Sequence, residues 1–77
     1  MEKKQPIHQI RISSVKASIW ENATETGIHY NVTFSRLYKD GADWKFADSF
    51  GRDDLLVLAK VSDQAHTYIC DLLQNQE

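Results

Sequence analysis

The chain has 77 residues, of which 42% are hydrophobic and 26% are charged, and its formal net charge is −2. This balance is typical of a globular domain and argues against a disordered or membrane-spanning chain. A domain of this size buries only about 60% of the surface that its unfolded chain exposes, so we expect it to associate as a homodimer. Residues 1–6 are mostly polar and lead into no long apolar run, which predicts a flexible N-terminal tail and a cytoplasmic location.

Residues that commonly carry catalysis or bind metals do not form recognisable motifs. Cys70 is the only cysteine, so no internal disulfide can form, and His8, His29 and His66 lack metal-ligand spacing. No nucleophile motif or glycine-rich phosphate loop is present. The sequence therefore predicts a protein that is not an enzyme, has no cofactor or metal, and binds neither a membrane nor a small-molecule substrate.

The first ordered segment, residues 9–20, has the two-residue period of a half-buried strand. Its apolar residues fall into two alternating sets, namely Ile10 and Ile12, followed by Val15, Ala17 and Ile19. The alternation of apolar and polar residues shifts by one position at Ser13 and Ser14. Such a change predicts either one curved strand with a bulge or two short strands.

The second strand is expected over residues 28–39, after a polar connection that ends in Gly27. One face carries Ile28, Tyr30, Val32 and Phe34. Leu37 breaks this alternation, which predicts a second bulge near Ser35 and Arg36 and hence a strongly curved sheet.

An Asp-Gly turn signal at Asp40 and Gly41 leads into a third strand over residues 44–50. Its alternation places Trp44, Phe46 and Phe50 on one side and Lys45, Ala47 and Ser49 on the other. Trp44 and Tyr30 share the phase of core residues, so we expect both to serve packing.

A single helix is expected from about residue 52 to residue 73, because Asp53 and Asp54 suit the first turn of a helix. Spacings of three and four define a stripe that faces the sheet: Leu55, Leu58, Ser62, Ala65, Ile69 and Leu72. Further apolar residues widen the apolar surface beyond this stripe. We therefore predict a dimer interface on the helix that contains Leu56, Val57, Val61 and Tyr68.

Charge is distributed unevenly along the chain. Residues 1–52 contain eight Lys or Arg against six Asp or Glu, whereas residues 53–77 contain one basic residue against five acidic ones. This asymmetry permits a locally positive sheet and hence contact with an anionic partner. The polar sheet face is predicted to carry Lys16, Ser18 and Trp20, then His29, Asn31, Thr33 and Ser35, and finally Lys45, Ala47 and Ser49. This pattern also fits an ordinary solvated face.

The order of strands followed by one C-terminal helix resembles the single-stranded-DNA-binding domain of the positive-cofactor-four transcriptional coactivators and the related Whirly fold. The resemblance covers about residues 9–73. It rests on the long basic strand pair 9–20 and 28–39, the Asp40-Gly41 turn, and the helix entry Ser49-Phe50-Gly51-Arg52-Asp53-Asp54-Leu55. The segment 30–41, YNVTFSRLYKDG, is similar to one in small bacterial proteins that have this kind of domain.

The resemblance implies an α+β fold in residues 7–73, with a curved antiparallel sheet of three to four strands, one C-terminal helix and a short tail at 74–77. It also implies dimerisation through the helices and binding of single-stranded DNA or RNA on the sheet. The residues implied to contact nucleic acid are Lys16, Trp20, Arg36, Tyr38, Lys39, Lys45 and Arg52.

Two hypotheses follow from these observations. The first is a non-enzymatic single-stranded nucleic-acid-binding protein that serves transcription, replication or repair. The alternative is a protein-interaction or structural dimer module that binds no nucleic acid, which the net charge of −2 favours.

Overall fold

A computed structural model describes residues 5–74, which form an open antiparallel sheet followed by a C-terminal helix. The strands are β1 (His8–Ile12), β2 (Val15–Thr24), β3 (Gly27–Asp40) and β4 (Asp43–Ala47), and each pairs with the next along the chain. A 3-10 turn (Arg52–Asp54) enters the helix α1 (Leu55–Gln74). The predicted α+β architecture is confirmed.

The predicted tails fall mainly at the limits of the described range. Residues 1–4 and 75–77 lie outside the described residues. Gln5 and Pro6 precede β1 without regular structure, and Gln74 is the last residue of α1 instead of the first residue of a tail.

A two-residue turn at Ser13 and Ser14 separates β1 from β2, so the prediction of two short strands is the correct one. Ile12 pairs with Val15 across this turn. Residues opposite each other in an antiparallel pair lie on the same face, which explains why the apolar phase changes at the turn. Ser13 has a φ of 56°, and its carbonyl accepts a hydrogen bond from Arg11 Nε at 3.1 Å.

The predicted bulge in the second strand is wrong. β3 pairs without a register slip, from Thr24 opposite Gly27 to Val15 opposite Arg36, and then continues against β4. Leu37 simply belongs to the other face, where it lies opposite Phe46 and is half-buried. The two bulges on which strong curvature was predicted are therefore a tight turn and a stretch of regular strand.

The core lies between α1 and one face of the first two strands. Val15, Ala17 and Ile19 of β2 are fully buried, as is Val61 of α1. Several half-buried residues pack around this centre: Ile10, Ile12, Val32, Phe34, Phe50, Val57 and Leu58. The structure is a thin slab with extents of 47 × 34 × 15 Å. A slab this thin has one layer of core.

The stripe of α1 that faces the sheet overlaps the predicted one, since Leu58 packs against the core and Ser62, Ile69 and Leu72 are half-buried. The buried helix residues are Val61 and Ala65, whereas Leu55 is exposed. Val61 packs in one cluster with Val15 and Ala17 of β2, so the buried stripe is centred on Val61 and Ala65 and does not include Leu55.

The start of the helix is held by a reciprocal pair of hydrogen bonds. The Gly51 N–H donates to Asp54 Oδ2 at 3.1 Å, and the Asp54 N–H donates to the Gly51 carbonyl at 2.9 Å. The same Asp54 carboxylate lies 3.7 Å from Arg36 Nε, which donates to the Ser49 carbonyl at 2.9 Å. Asp54 thus caps the start of the helix, and Arg36 links β3 to the segment between β4 and the helix. The Asp53 side chain, by contrast, is 98% exposed.

We expect Ser13→Gly to raise the free energy of unfolding by about 0.5–1 kcal/mol, since glycine removes the cost of a side chain in the left-handed region. Gly41 is the matched control, because its φ is 63° and a Cβ added there would meet nothing within 4 Å. Gly41→Ser should lower the stability by about 1 kcal/mol through backbone conformation alone. Urea denaturation measures both changes, and a destabilised Ser13→Gly variant would contradict the turn geometry.

We expect Asp54→Ala to lower the free energy of unfolding by about 1 kcal/mol, because it leaves the Gly51 N–H without its partner. Asp53→Ala removes the same charge from the adjacent residue and should change the stability by less than about 0.5 kcal/mol. Equal losses in the two variants, measured by thermal or chemical denaturation, would show that helix-dipole charge and not the cap stabilises this end.

Candidate functional site

The helix α1 packs on one face of the sheet, over β1 and β2, and leaves the other face uncovered. We call the side that packs against α1 the helix-side face; it carries Val15, Ala17 and Ile19. Since side chains alternate along a strand, the residues between them lie on the opposite side, the open face. Strand registers extend this assignment to the whole sheet. The open face carries Gln9 and Arg11 of β1, Lys16, Ser18, Trp20, Asn22 and Thr24 of β2, His29, Asn31, Thr33, Ser35, Leu37 and Lys39 of β3, and Trp44 and Phe46 of β4.

The acidic residues of the strands are confined to one face, whereas cations occur on both faces. The cations on strand positions of the open face are Arg11, Lys16 and Lys39. Every acidic residue within the four strands, namely Glu21, Asp40 and Asp43, has the opposite phase and lies on the helix-side face. The open face is therefore locally positive even though the chain has a net charge of −2.

Two lysines of the open face lie over aromatic rings. Lys16 Nζ is 4.8 Å from the centroid of the Phe46 ring, and Lys39 Nζ is 5.9 Å from that of Trp44. Phe46 and Trp44 are 60% and 63% exposed, respectively. Such exposure is unusual for side chains of this size in a small domain, and it makes the rings accessible from the open face.

A third aromatic residue of the open face is held by a hydrogen bond. Trp20 Nε1 donates to Thr33 Oγ1 at 2.9 Å, from β2 to β3. The bond satisfies the indole N–H and fixes the direction of the half-buried ring. The open face thus carries three aromatic side chains, Trp20 on β2 and Trp44 and Phe46 on β4.

The residues implied to contact nucleic acid do not form one surface. Lys16, Trp20 and Lys39 come together on the open face, whereas Arg36, Tyr38 and Lys45 lie on the helix-side face. Arg52 lies in the 3-10 turn with a side chain that is 96% exposed.

Arg36, Tyr38 and Lys45 have interaction partners within the chain. The Arg36 guanidinium lies 5.5 Å from the Tyr38 ring centroid and bonds the Ser49 carbonyl. Lys45 Nζ lies 3.0 Å from Asp40 Oδ2. Each of the three side chains thus makes a contact within the chain.

The prediction for the third strand is wrong in phase. Lys45 and Ala47 were expected on the polar face and lie on the helix-side face, while Trp44 was expected in packing and is exposed on the open face. The cause is the two-residue turn Gly41-Ala42, which places Asp43 opposite Asp40 and Trp44 opposite Lys39. If the alternation of side chains had been continued from β3 through this two-residue turn, Trp44 and Phe46 would have been assigned to the open face. The same reasoning across the turn at Ser13 and Ser14 would have assigned Arg11 to the open face.

The predicted dimer interface on α1 is largely occupied within the chain. Val61 is fully buried, so it has no surface left for a partner, and Val57 packs against the core. The Tyr68 ring stacks on His8 of β1, with centroids 4.2 Å apart and planes 8° from parallel. Of the four residues, Leu56 alone is widely exposed, at 84%.

Residues 5–74 show neither a pocket nor a cluster of metal ligands. No concave pocket opens in this range, and no group of three His, Cys, Asp or Glu residues lies close enough together to hold a metal ion. Within the same range, α1 is too polar to cross a membrane.

Comparison with known proteins adds no relative. No family model matches the chain, and no curated protein or solved structure is significantly similar to it.

Proposed function

We propose that this chain is a non-enzymatic protein that binds single-stranded DNA or RNA on its open face. The observation that carries the proposal is the composition of that face, which has three cations, three aromatic side chains and no acidic strand residue. Proteins that bind single strands combine cations that follow the phosphates with rings that stack on the bases. The open face contains both components.

Five residues of the open face have a definite role in this proposal. Arg11, Lys16 and Lys39 neutralise phosphates, while Trp44 and Phe46 stack on bases. A cation over an exposed ring contributes about 0.5–1 kcal/mol, whereas a stacked base contributes about 1–3 kcal/mol. A base therefore displaces the lysine from its ring, and the released ammonium group turns to the adjacent phosphate.

Single strands fit the open face better than a duplex does. Ring stacking requires bases whose faces are free, and the bases of a duplex are stacked on one another. Three cations also provide a weak electrostatic contribution, with a salt slope of at most about 2 at about 0.7 per phosphate contact. Affinity must therefore depend on the aromatic residues as much as on charge.

The biological setting that we propose is an accessory role in transcription, replication or repair. The meander of four strands with a C-terminal helix is the arrangement expected from the resemblance to the positive-cofactor-four domain. That resemblance supports the proposal through architecture, and the open face supports it through chemistry.

A second candidate function is a protein-interaction or structural dimer module that binds no nucleic acid. It is favoured by the exposed apolar residues Leu55, Leu56 and Leu73 on α1. A protein partner would bury these residues from the side opposite to the open face, so the two functions use different surfaces.

We expect labelled oligo-dT to bind the wild-type chain at low salt, and log K to fall linearly with log salt concentration. Trp44→Ala should weaken binding by about 5- to 150-fold, the loss of one stacked base. Lys16→Gln should lower the salt slope by about 0.7 because one phosphate contact is lost. Fluorescence anisotropy measures all three quantities.

The matched control is Lys45→Gln, which removes the same charge from the helix-side face. It should leave the salt slope unchanged, since Lys45 is paired with Asp40. If Lys16→Gln and Lys45→Gln changed the salt slope equally, binding would depend only on the net charge of the chain, which would contradict a role for the open face. Failure of the wild-type chain to bind oligo-dT or oligo-U at low salt would leave the interaction module as the function.

A further inference from the structure

The longest strand of the sheet is paired along only part of one edge. β3 has 14 residues, and β2 pairs with it from Gly27 to Arg36. On the other side β4 pairs only with residues 36–40. Among the described residues no strand lies beside residues 28–34 on that side, and we call this segment the free edge.

Backbone directions identify the groups that point outward from the free edge. The Leu37 N–H donates to the Ser14 carbonyl at 2.8 Å, so odd-numbered residues of β3 bond toward β2. The alternate residues bond in the other direction, as the pairing of Asp40 with Asp43 requires. Ile28, Val32 and Phe34 therefore direct their N–H and C=O groups away from β2, where the part of the chain that the structure describes offers them no partner.

The free edge lacks the features that usually protect an exposed strand. Residues 28–34, IHYNVTF, contain no charged residue and no proline, and the strand has no bulge. Ile28 is also 44% exposed. Soluble proteins normally protect such an edge with lysine, proline or a bulge because it recruits another strand.

We propose that the free edge pairs with the same edge of a second copy of this chain, with Asn31 opposite Asn31 of the second copy. In this antiparallel register Ile28 lies opposite Phe34, and the two symmetry-related Ile28–Phe34 pairs form four N–H···O bonds. Tyr30 lies opposite Val32 on the helix-side face, and His29 lies opposite Thr33 on the open face. Apolar residues thus meet apolar ones and polar residues meet polar ones.

The length of the free edge fits this register. The partner strand is limited at one end by β4, which begins its pairing at Arg36, and at the other by the turn after Thr24. A shift of two residues in one direction drives the partner strand into β4. A shift in the other direction removes the contact between Ile28 and Phe34, so the register centred on Asn31 buries the most apolar surface.

The symmetry of this pairing has a consequence for the two faces. The twofold axis of an antiparallel strand pair within a sheet is perpendicular to the sheet, so both copies of α1 lie on one side and both open faces on the other. The proposed dimer does not depend on nucleic-acid binding, and it is tested by separate experiments.

A cysteine at the axis tests both the partner and the register. In the Cys70→Ala background, Asn31→Cys places the two new thiols at a position where Cα atoms are about 4.5 Å apart, within the range of a disulfide. We expect mild oxidation to convert this variant to a covalent dimer. Thr33→Cys is the matched control, because its two copies are about 13 Å apart along the strands and should not cross-link.

A second measurement uses proline to block each edge of the β2–β3 pair. Ile28 and Ala23 are directly opposite each other, and the N–H of each points away from the other strand. Ile28→Pro removes an outward donor at the free edge and should weaken the dimer at least tenfold in light scattering, whereas Ala23→Pro should not. In the same measurement the wild-type protein should have the mass of a dimer, twice the 8.9 kDa of one chain.

Two results would overturn the proposal. One is a wild-type mass of 8.9 kDa at about 100 μM, together with no cross-link in Asn31→Cys. The other is a dimer that Leu56→Lys dissociates and Ile28→Pro does not, which would assign the contact to α1. If Ile28→Pro fails to fold by circular dichroism, the cross-linking result decides alone, since Asn31 is exposed and its substitution leaves the core intact.

Discussion

The burial of Val15, Ala17 and Ile19 beneath Val61 and Ala65 is the interaction on which the rest of the structure depends. It occupies one face of the sheet and leaves no second layer to cover the other. Most strand residues of opposite phase are consequently exposed or half-exposed, although Ser18 is buried. The chemistry of the open face is therefore a by-product of where the core lies, and the helix determines it without touching it.

The strands and the helix were predicted well from the sequence, but the sheet face on which each strand places its residues was predicted less well. Strong alternation within residues 28–34 defined β3, and the acids before Leu55 located the helix start, because both signals are local. The phase of β4 depended on the pairing of Asp40 with Asp43 across a turn, which is not visible inside the strand itself. Trp44 was misassigned for this reason, since aromatic residues in strands are usually buried.

The candidate site was predictable to a similar extent. Lys16 and Trp20 were correctly placed on the polar face because β2 carries its own apolar reference residues. Arg36 was not recognised as part of the fold, since its partners, the Ser49 carbonyl and Asp54, are distant in sequence and meet it only when the connection folds back. The buried side of α1 was predicted in large part, but Val61 was assigned to a dimer interface because its contact with Val15 and Ala17 depends on how the helix packs on the sheet.

The length of the turn at Gly41 and Ala42 has an evolutionary consequence. Inserting or deleting one residue there reverses the facing of every residue in β4. The aromatic pair would then lie toward the helix, and Asp43 and Lys45 would appear beside Lys39. A single-codon length change could thus exchange an aromatic, positively charged surface for one of mixed charge without a substitution, so relatives that differ in this turn should be compared by strand phase before they are compared by residue identity.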